Sequence, residues 1–198
     1  MDPELSTRAV TLTFPHSWKA EILTKRPLIK PLRCYTYPRE AEDVERGALE
    51  VMVQPPGEGL RFLATFALGF NDPAVSNGLW SCPAVEELCA VAGGYAYIVN
   101  TLAPGEFTHI ALRPVLEIVS LAEQRLLVFV GHHALLAWGV AGEAWRTPPL
   151  TAEGLRLTEI DGDDLHGFGW DLRSDREIPF TVDLRTGRCS GAYVDSAR

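Results

Sequence analysis

Lysine is nearly missing from this 198-residue chain. It has three, Lys19, Lys25 and Lys30, all within the first 40 positions. Long apolar runs are missing too. The longest, RLLVFVGHHALLAWG at 125–139, is interrupted by glycine and histidine and falls short of the roughly 20 apolar residues of a membrane-spanning helix. The opening MDPELSTRAVTLTF has no basic head before an apolar core, so no secretory signal is expected and the expected location is cytoplasmic. There is no G-x-S-x-G elbow, phosphate-binding G-x-x-x-x-G-K loop, H-E-x-x-H helix or G-x-G-x-x-G turn. That removes the catalytic classes that announce themselves by a local motif, and no cofactor is expected. The four cysteines, Cys34, Cys82, Cys89 and Cys189, form no C-x-x-C pair, so free buried thiols are expected rather than a zinc site.

Negative charge dominates. Eighteen basic against 26 acidic residues leave −8, which argues against a general affinity for nucleic acid or anionic membrane. The expected partner is a protein or a small-molecule ligand. The charge is uneven: residues 1–40 hold seven cations and four acids, 7 − 4 = +3, so the remainder is −8 − 3 = −11. Solvated charges on an edge strand are expected to account for the early excess of cations.

What the chain has in quantity is strand pattern. AVTLTF (9–14), LEVMVQP (49–55), YAYIVNT (95–101), VLEIVSL (115–121), LLVFV (126–130), GLRLTEI (154–160) and IPFTVDL (178–184) are short and rich in β-branched, aliphatic and aromatic residues. Turn clusters such as PPGEG, APGE, DGDD and RTG separate them. Helix signals are confined to a couple of turns in 38–50, stopped near Gly47, and one turn at 83–88. The expected class is all-β.

Strand patterns also recur. LCAVAGGYAYIVNT (88–101) aligns with LLVFVGHHALLAWG (126–139) at an offset of 126 − 88 = 38, and further steps of 38 reach Asp164, Glu50 and Leu12. Five such units would span 5 × 38 = 190 residues. The expectation is a propeller-like array of four to five short blade-like units, with a β-sandwich or barrel as the alternative. One all-β domain is expected over 1–198, with 1–48 as a less regular cap or ring-closing segment.

LLVFVGHHALLAWGVAGEAW (126–145) resembles a blade of the quinoprotein-like and WD40-like β-propellers. Gly131, Leu135, Leu136, Ala137, Gly142 and Trp145 fall on that pattern, and FTVDLRTGR (180–188) resembles its strand–turn portion through Asp183, Thr186 and Gly187. Gly139 stands where the blade pattern carries Asp. The resemblance spans roughly 88–190 and implies a fold, since such turns hold blades together. LWSCPAVEELCAVAGGYAYIVNT and GWDLRSDREIPFTVDLRTG are similar to segments recurring in a family with no assigned activity.

Two constellations are candidates for a site. His132 and His133 occupy the turn equivalent to Gly93–Gly94. Adjacent strand residues point to opposite faces, so the pair converges on one ligand only inside a tight turn. WDLRSDREIPF (170–180) is the densest polar cluster, with Asp171 as a possible base and Arg176 as a clamp for carboxylate or phosphate beside Asp175. A third stretch, EIDGDDLHG (159–167), lacks the order of a calcium loop and reads as a hairpin turn at Asp161–Gly162. The expected ligand-binding residues are therefore His132, His133, Asp171, Asp175 and Arg176. The leading expectation is a binding or scaffold module without catalysis. The alternative is a small-molecule hydrolase, or another enzyme, with a loop-borne polar pocket.

Overall fold

Alternation of apolar and polar residues makes strands here, and the turn residues between them set where each strand stops. The computed structural model describes residues 9–29, 31–39, 47–69 and 77–191. Every regular element among them is a strand. The single helical turn expected at 83–88 is instead a non-helical turn running into a strand at Glu87. Most of the helical stretch expected in 38–50 lies outside the described residues. Its end, from Ala48, is strand.

The chain divides into two compact units, residues 1–115 and 116–198. The first unit holds two sheets. In one, β2 (Lys19–Ile22), β4 (Ala48–Gln54), β5 (Phe62–Ala67) and β3 (Cys34–Tyr37) lie in the order β2-β4-β5-β3. In the other, β6 (Gly78–Ser81), β7 (Glu87–Ala92), β8 (Tyr95–Asn100) and β9 (Phe107–His109) form an antiparallel meander. β1 (Ala9–Thr11) is added parallel to β6 at its edge. β4 shows why these sequences settle as strands. Leu49, Val51 and Val53 face inward while Ala48, Glu50, Met52 and Gln54 are half-buried, the period-2 pattern of a one-faced strand. The core they enter contains Phe66, Leu79, Leu88 and Tyr97, and Tyr37 stacks on Phe66 at 5.0 Å between ring centroids.

The second unit holds two four-stranded antiparallel meanders. β10 (Glu117–Leu121), β11 (Leu126–Val130), β12 (Leu135–Gly139) and β13 (Gly142–Arg146) make one. β14 (Glu153–Asp161), β15 (Asp164–Asp171), β16 (Arg176–Asp183) and β17 (Cys189–Ser190) make the other. β11 and β12 are buried throughout, which explains their near-continuous apolar sequence. Val128, Val130, Leu135 and Ala137 share one core with Leu165, Phe180 and Val182. Full burial of each large aliphatic or aromatic side chain contributes about 1.5–3 kcal/mol.

β7, β11 and β15 begin at residues 87, 126 and 164, and each is the second strand of a consecutive four-stranded meander. Among the described residues none of the sheets closes into a barrel. No helix among the described residues is long and apolar enough to cross a membrane.

Candidate functional site

All five residues singled out in the sequence lie in the second unit, in two turns. His132 and His133 sit in the turn between β11 and β12, where the Gly131 N–H donates to the Ala134 carbonyl at 3.0 Å. Both side chains are exposed, with ring centroids 5.9 Å apart. Among the described residues no group of three His, Cys, Asp or Glu side chains is placed to hold a metal ion.

Asp171, Asp175 and Arg176 frame the turn between β15 and β16. Asp171 is the last residue of β15 and its carboxylate is committed to that turn. It accepts the Ser174 hydroxyl at 2.6 Å and the backbone N–H groups of Arg173 and Ser174 at 3.2 and 3.1 Å. The Ser174 hydroxyl, with those two N–H groups and the Arg173 charge, holds the carboxyl below the usual aspartate range, against the opposing effect of burial. Little of Asp171 is exposed, yet it lies at the periphery of the unit rather than deep within it. Asp175 closes the turn with φ of 52°, the left-handed region that Asp tolerates better than most side chains. Arg176 opens β16, is exposed, and lies opposite Asp171 in the strand register.

Residues 150–152 link the His132–His133 turn to Trp170, the β15 residue that precedes Asp171. The Leu150 N–H donates to the His133 carbonyl at 2.7 Å, while the Thr151 hydroxyl and the Ala152 N–H donate to the Trp170 carbonyl at 2.9 and 3.1 Å. Trp170 and Leu172, beside Asp171, are 36% and 62% exposed. Imidazole, guanidinium, indole and leucine side chains are exposed in and beside these two turns.

The hairpin expected at Asp161–Gly162 is present. β14 ends at Asp161 and β15 begins at Asp164, with Gly162 at φ of 60° as a tight two-residue turn requires. Asp183 repeats the role of Asp171. Partial burial opposes its ionisation, but the Thr186 hydroxyl and the N–H groups of Arg185 and Thr186 prevail and keep its carboxyl below the usual range.

The first unit carries a polar cleft of about 390 Å³ that no motif announced, lined by Arg39, Glu87, Asn100, Glu106 and Thr108 among others. One wall is the β8–β9 connection, folded by Asn100 Oδ1, which accepts the N–H groups of Leu102 and Ala103. The Tyr37 hydroxyl and the Arg39 guanidinium donate to its Pro104 and Gly105 carbonyls at 2.7 and 2.6 Å. Burial pushes the Tyr37 hydroxyl far above its ordinary range, so it remains a neutral donor. Arg39 stands 66 residues from Gly105, and no local pattern could have paired them.

No family model and no curated protein matches the chain. Several solved structures are distantly similar, among them two that cover most of this chain. One is a chain of an S. cerevisiae assembly of Dbp5 bound to Nup159, Gle1, IP6 and ADP, with a TM-score of 0.40 and 10% identity over 92% of this chain and 52% of that one. The other is the N-terminal domain of Nup159, with a TM-score of 0.36 and 10% identity over 95% of this chain and 53% of that one. The chain spans about half the length of each, and neither likeness bears on function.

Proposed function

We propose that the chain is a non-catalytic binding module on a propeller-like scaffold of blade-like meanders. Its contact surface is the end of the second unit where the His132–His133 turn meets the Asp171–Arg176 turn. The observation that carries this reading is the bonding of residues 150–152 to His133 in one turn and to Trp170, next to Asp171 at the start of the other. Two segments far apart in sequence are held side by side, as a composite recognition surface needs.

The chemistry of the turns favours binding over turnover. A general base needs an accepting lone pair aimed at a substrate proton, and the Asp171 carboxylate is engaged by three donors of its own turn. Arg176, His132 and His133 supply donors. Such guanidinium and imidazole donors suit a carboxylate or phosphate group, on a small molecule or on a partner's side chain. The exposed Trp170 and Leu172 add apolar area of the kind found at contact surfaces.

A thermal-shift panel of divalent metals, nucleotides, sugars and small carboxylates tests this. A ligand at a hundredfold its dissociation constant adds about 2.7 kcal/mol of stability, which raises the midpoint by several degrees. An anionic ligand is expected to stabilise the wild type, to lose that effect in His132→Ala or Arg176→Ala, and to be recovered chemically unchanged. Conversion of the ligand would replace binding with catalysis.

A further inference from the structure

The connection from β2 to β3 leaves its apolar side chains in solvent. β2 is antiparallel to β4, β4 to β5, and β3 is parallel to β5, so β2 and β3 point the same way from opposite edges of their sheet. Residues 23–33 must return along the strands and pass two others, at about 4.8 Å per strand. The two ends of this strap are pinned. The Leu23 N–H donates to the Glu50 carbonyl at 2.8 Å, and the Arg33 carbonyl accepts the Leu63 N–H at 3.0 Å. Pro27 and Pro31 fix the backbone φ on either side of its middle. A crossover ordinarily lays its aliphatic residues on the sheet, but Leu28, Ile29 and Leu32 are 105%, 87% and 98% exposed. One such residue is ordinary surface; three within five positions are a patch.

The same strap is the most cationic part of an acidic protein. Residues 23–33 contain Lys25, Arg26, Lys30 and Arg33 and no acid, a charge of +4 against −8 − 4 = −12 for the rest. Lys25 and Arg26 are exposed, and Arg26 keeps only a long 3.7 Å pairing to Glu50. The overall negative charge that argues against anionic surfaces therefore does not describe this strap. Its local field falls off within a Debye length of about 8–10 Å.

We propose that the strap docks on an anionic lipid surface, inserting Leu28, Ile29 and Leu32 while Lys25 and Arg26 meet the headgroups. This surface is separate from the contact surface of the second unit. Charge complementarity selects an anionic occupant. The tips select lipid over protein, because they are projecting aliphatics without the aromatic anchors that dominate protein hot spots. Apolar insertion and a cationic rim are the two signals that together give stable peripheral attachment.

The test is flotation of the full chain with vesicles of phosphatidylcholine alone and with about 30 mol% phosphatidylserine. The wild type is expected to float with the anionic vesicles only, and less so when the ionic strength rises from about 0.1 to about 0.5 M. Leu28→Asp with Ile29→Asp is expected to weaken binding at least about tenfold. These positions are fully exposed, so the thermal midpoint should not move. Lys25→Gln with Arg26→Gln should weaken binding in the same direction without touching the aliphatic tips. The proposal is overturned if the wild type binds neither vesicle, binds both equally, or binds as well with the two aspartates. It is also overturned if the wild type self-associates and the aspartate pair disperses it, which would make the strap an interface between copies.

Discussion

The Trp145 indole N–H donates to the Leu184 carbonyl at 2.6 Å, joining β13 to the segment that follows β16. Both residues are buried, so the carbonyl depends on this donor. Trp145→Phe keeps most of the packing and removes the bond. The expected loss is about 1–3 kcal/mol in a denaturant titration, since a buried acceptor is left unsatisfied. Gly187 is the backbone counterpart of this contact. It holds φ of 70°, and a Cβ there would meet the Trp145 side chain at 2.8 Å. Gly187→Ala is expected to cost at least about 1 kcal/mol from the left-handed backbone alone.

Asp171 makes the second unit sensitive to acid. Its folded-state pKa is lowered, so its contribution is fully present above the unfolded value of about 3.9 and is lost as pH falls through the folded value. Asp171→Asn is therefore expected to lower the midpoint at neutral pH. The gap from wild type should narrow as pH drops below about 4. A gap independent of pH would mean that the carboxylate charge does not hold the turn.

Asp175 tests the geometry of the same turn. A residue at φ of 52° is relieved by glycine and strained by β-branching. Asp175→Val is expected to destabilise by about 1–2 kcal/mol, while Asp175→Gly should be neutral or stabilising. Equal effects of the two substitutions in a thermal melt would contradict the turn assignment.

The thiols should divide into two classes. Cys82 and Cys89 are buried, and burial raises both pKa values far above the ordinary thiol range. Cys34 and Cys189 are partly exposed. Alkylation at neutral pH followed by mass spectrometry is expected to label Cys34 and Cys189 in the folded protein, and Cys82 and Cys89 only on unfolding.

How far the sequence reveals this molecule follows from which forces are local. Strand identity was legible in most runs of five or more strand-forming residues, though AVTLTF (9–14) gives only the three-residue β1 (Ala9–Thr11). LLVFV coincides with β11, and the stretches 49–55 and 95–101 fall within a residue of β4 and β8. Short strands such as β2 and β3 were missed, because four residues carry too little period to stand out from loop. The two second-unit turns were found as polar clusters. That Asp171 spends its carboxylate on Ser174 and the Arg173 N–H, instead of facing a ligand, depends on turn geometry that composition does not encode. The polar cleft and the β2–β3 strap were invisible for another reason. One depends on Arg39 reaching Gly105, and the other on aliphatic residues that ordinary patterning assigns to a core.

The most direct test of the account is an amide chemical-shift map of the labelled protein titrated with a small tricarboxylate. The account predicts that residues 131–134, 150–152 and 170–176 shift together with one dissociation constant, and that Arg176→Ala abolishes all three sets of changes. Shifts confined to one turn, or found only outside these segments, would contradict a composite binding surface at this end of the second unit.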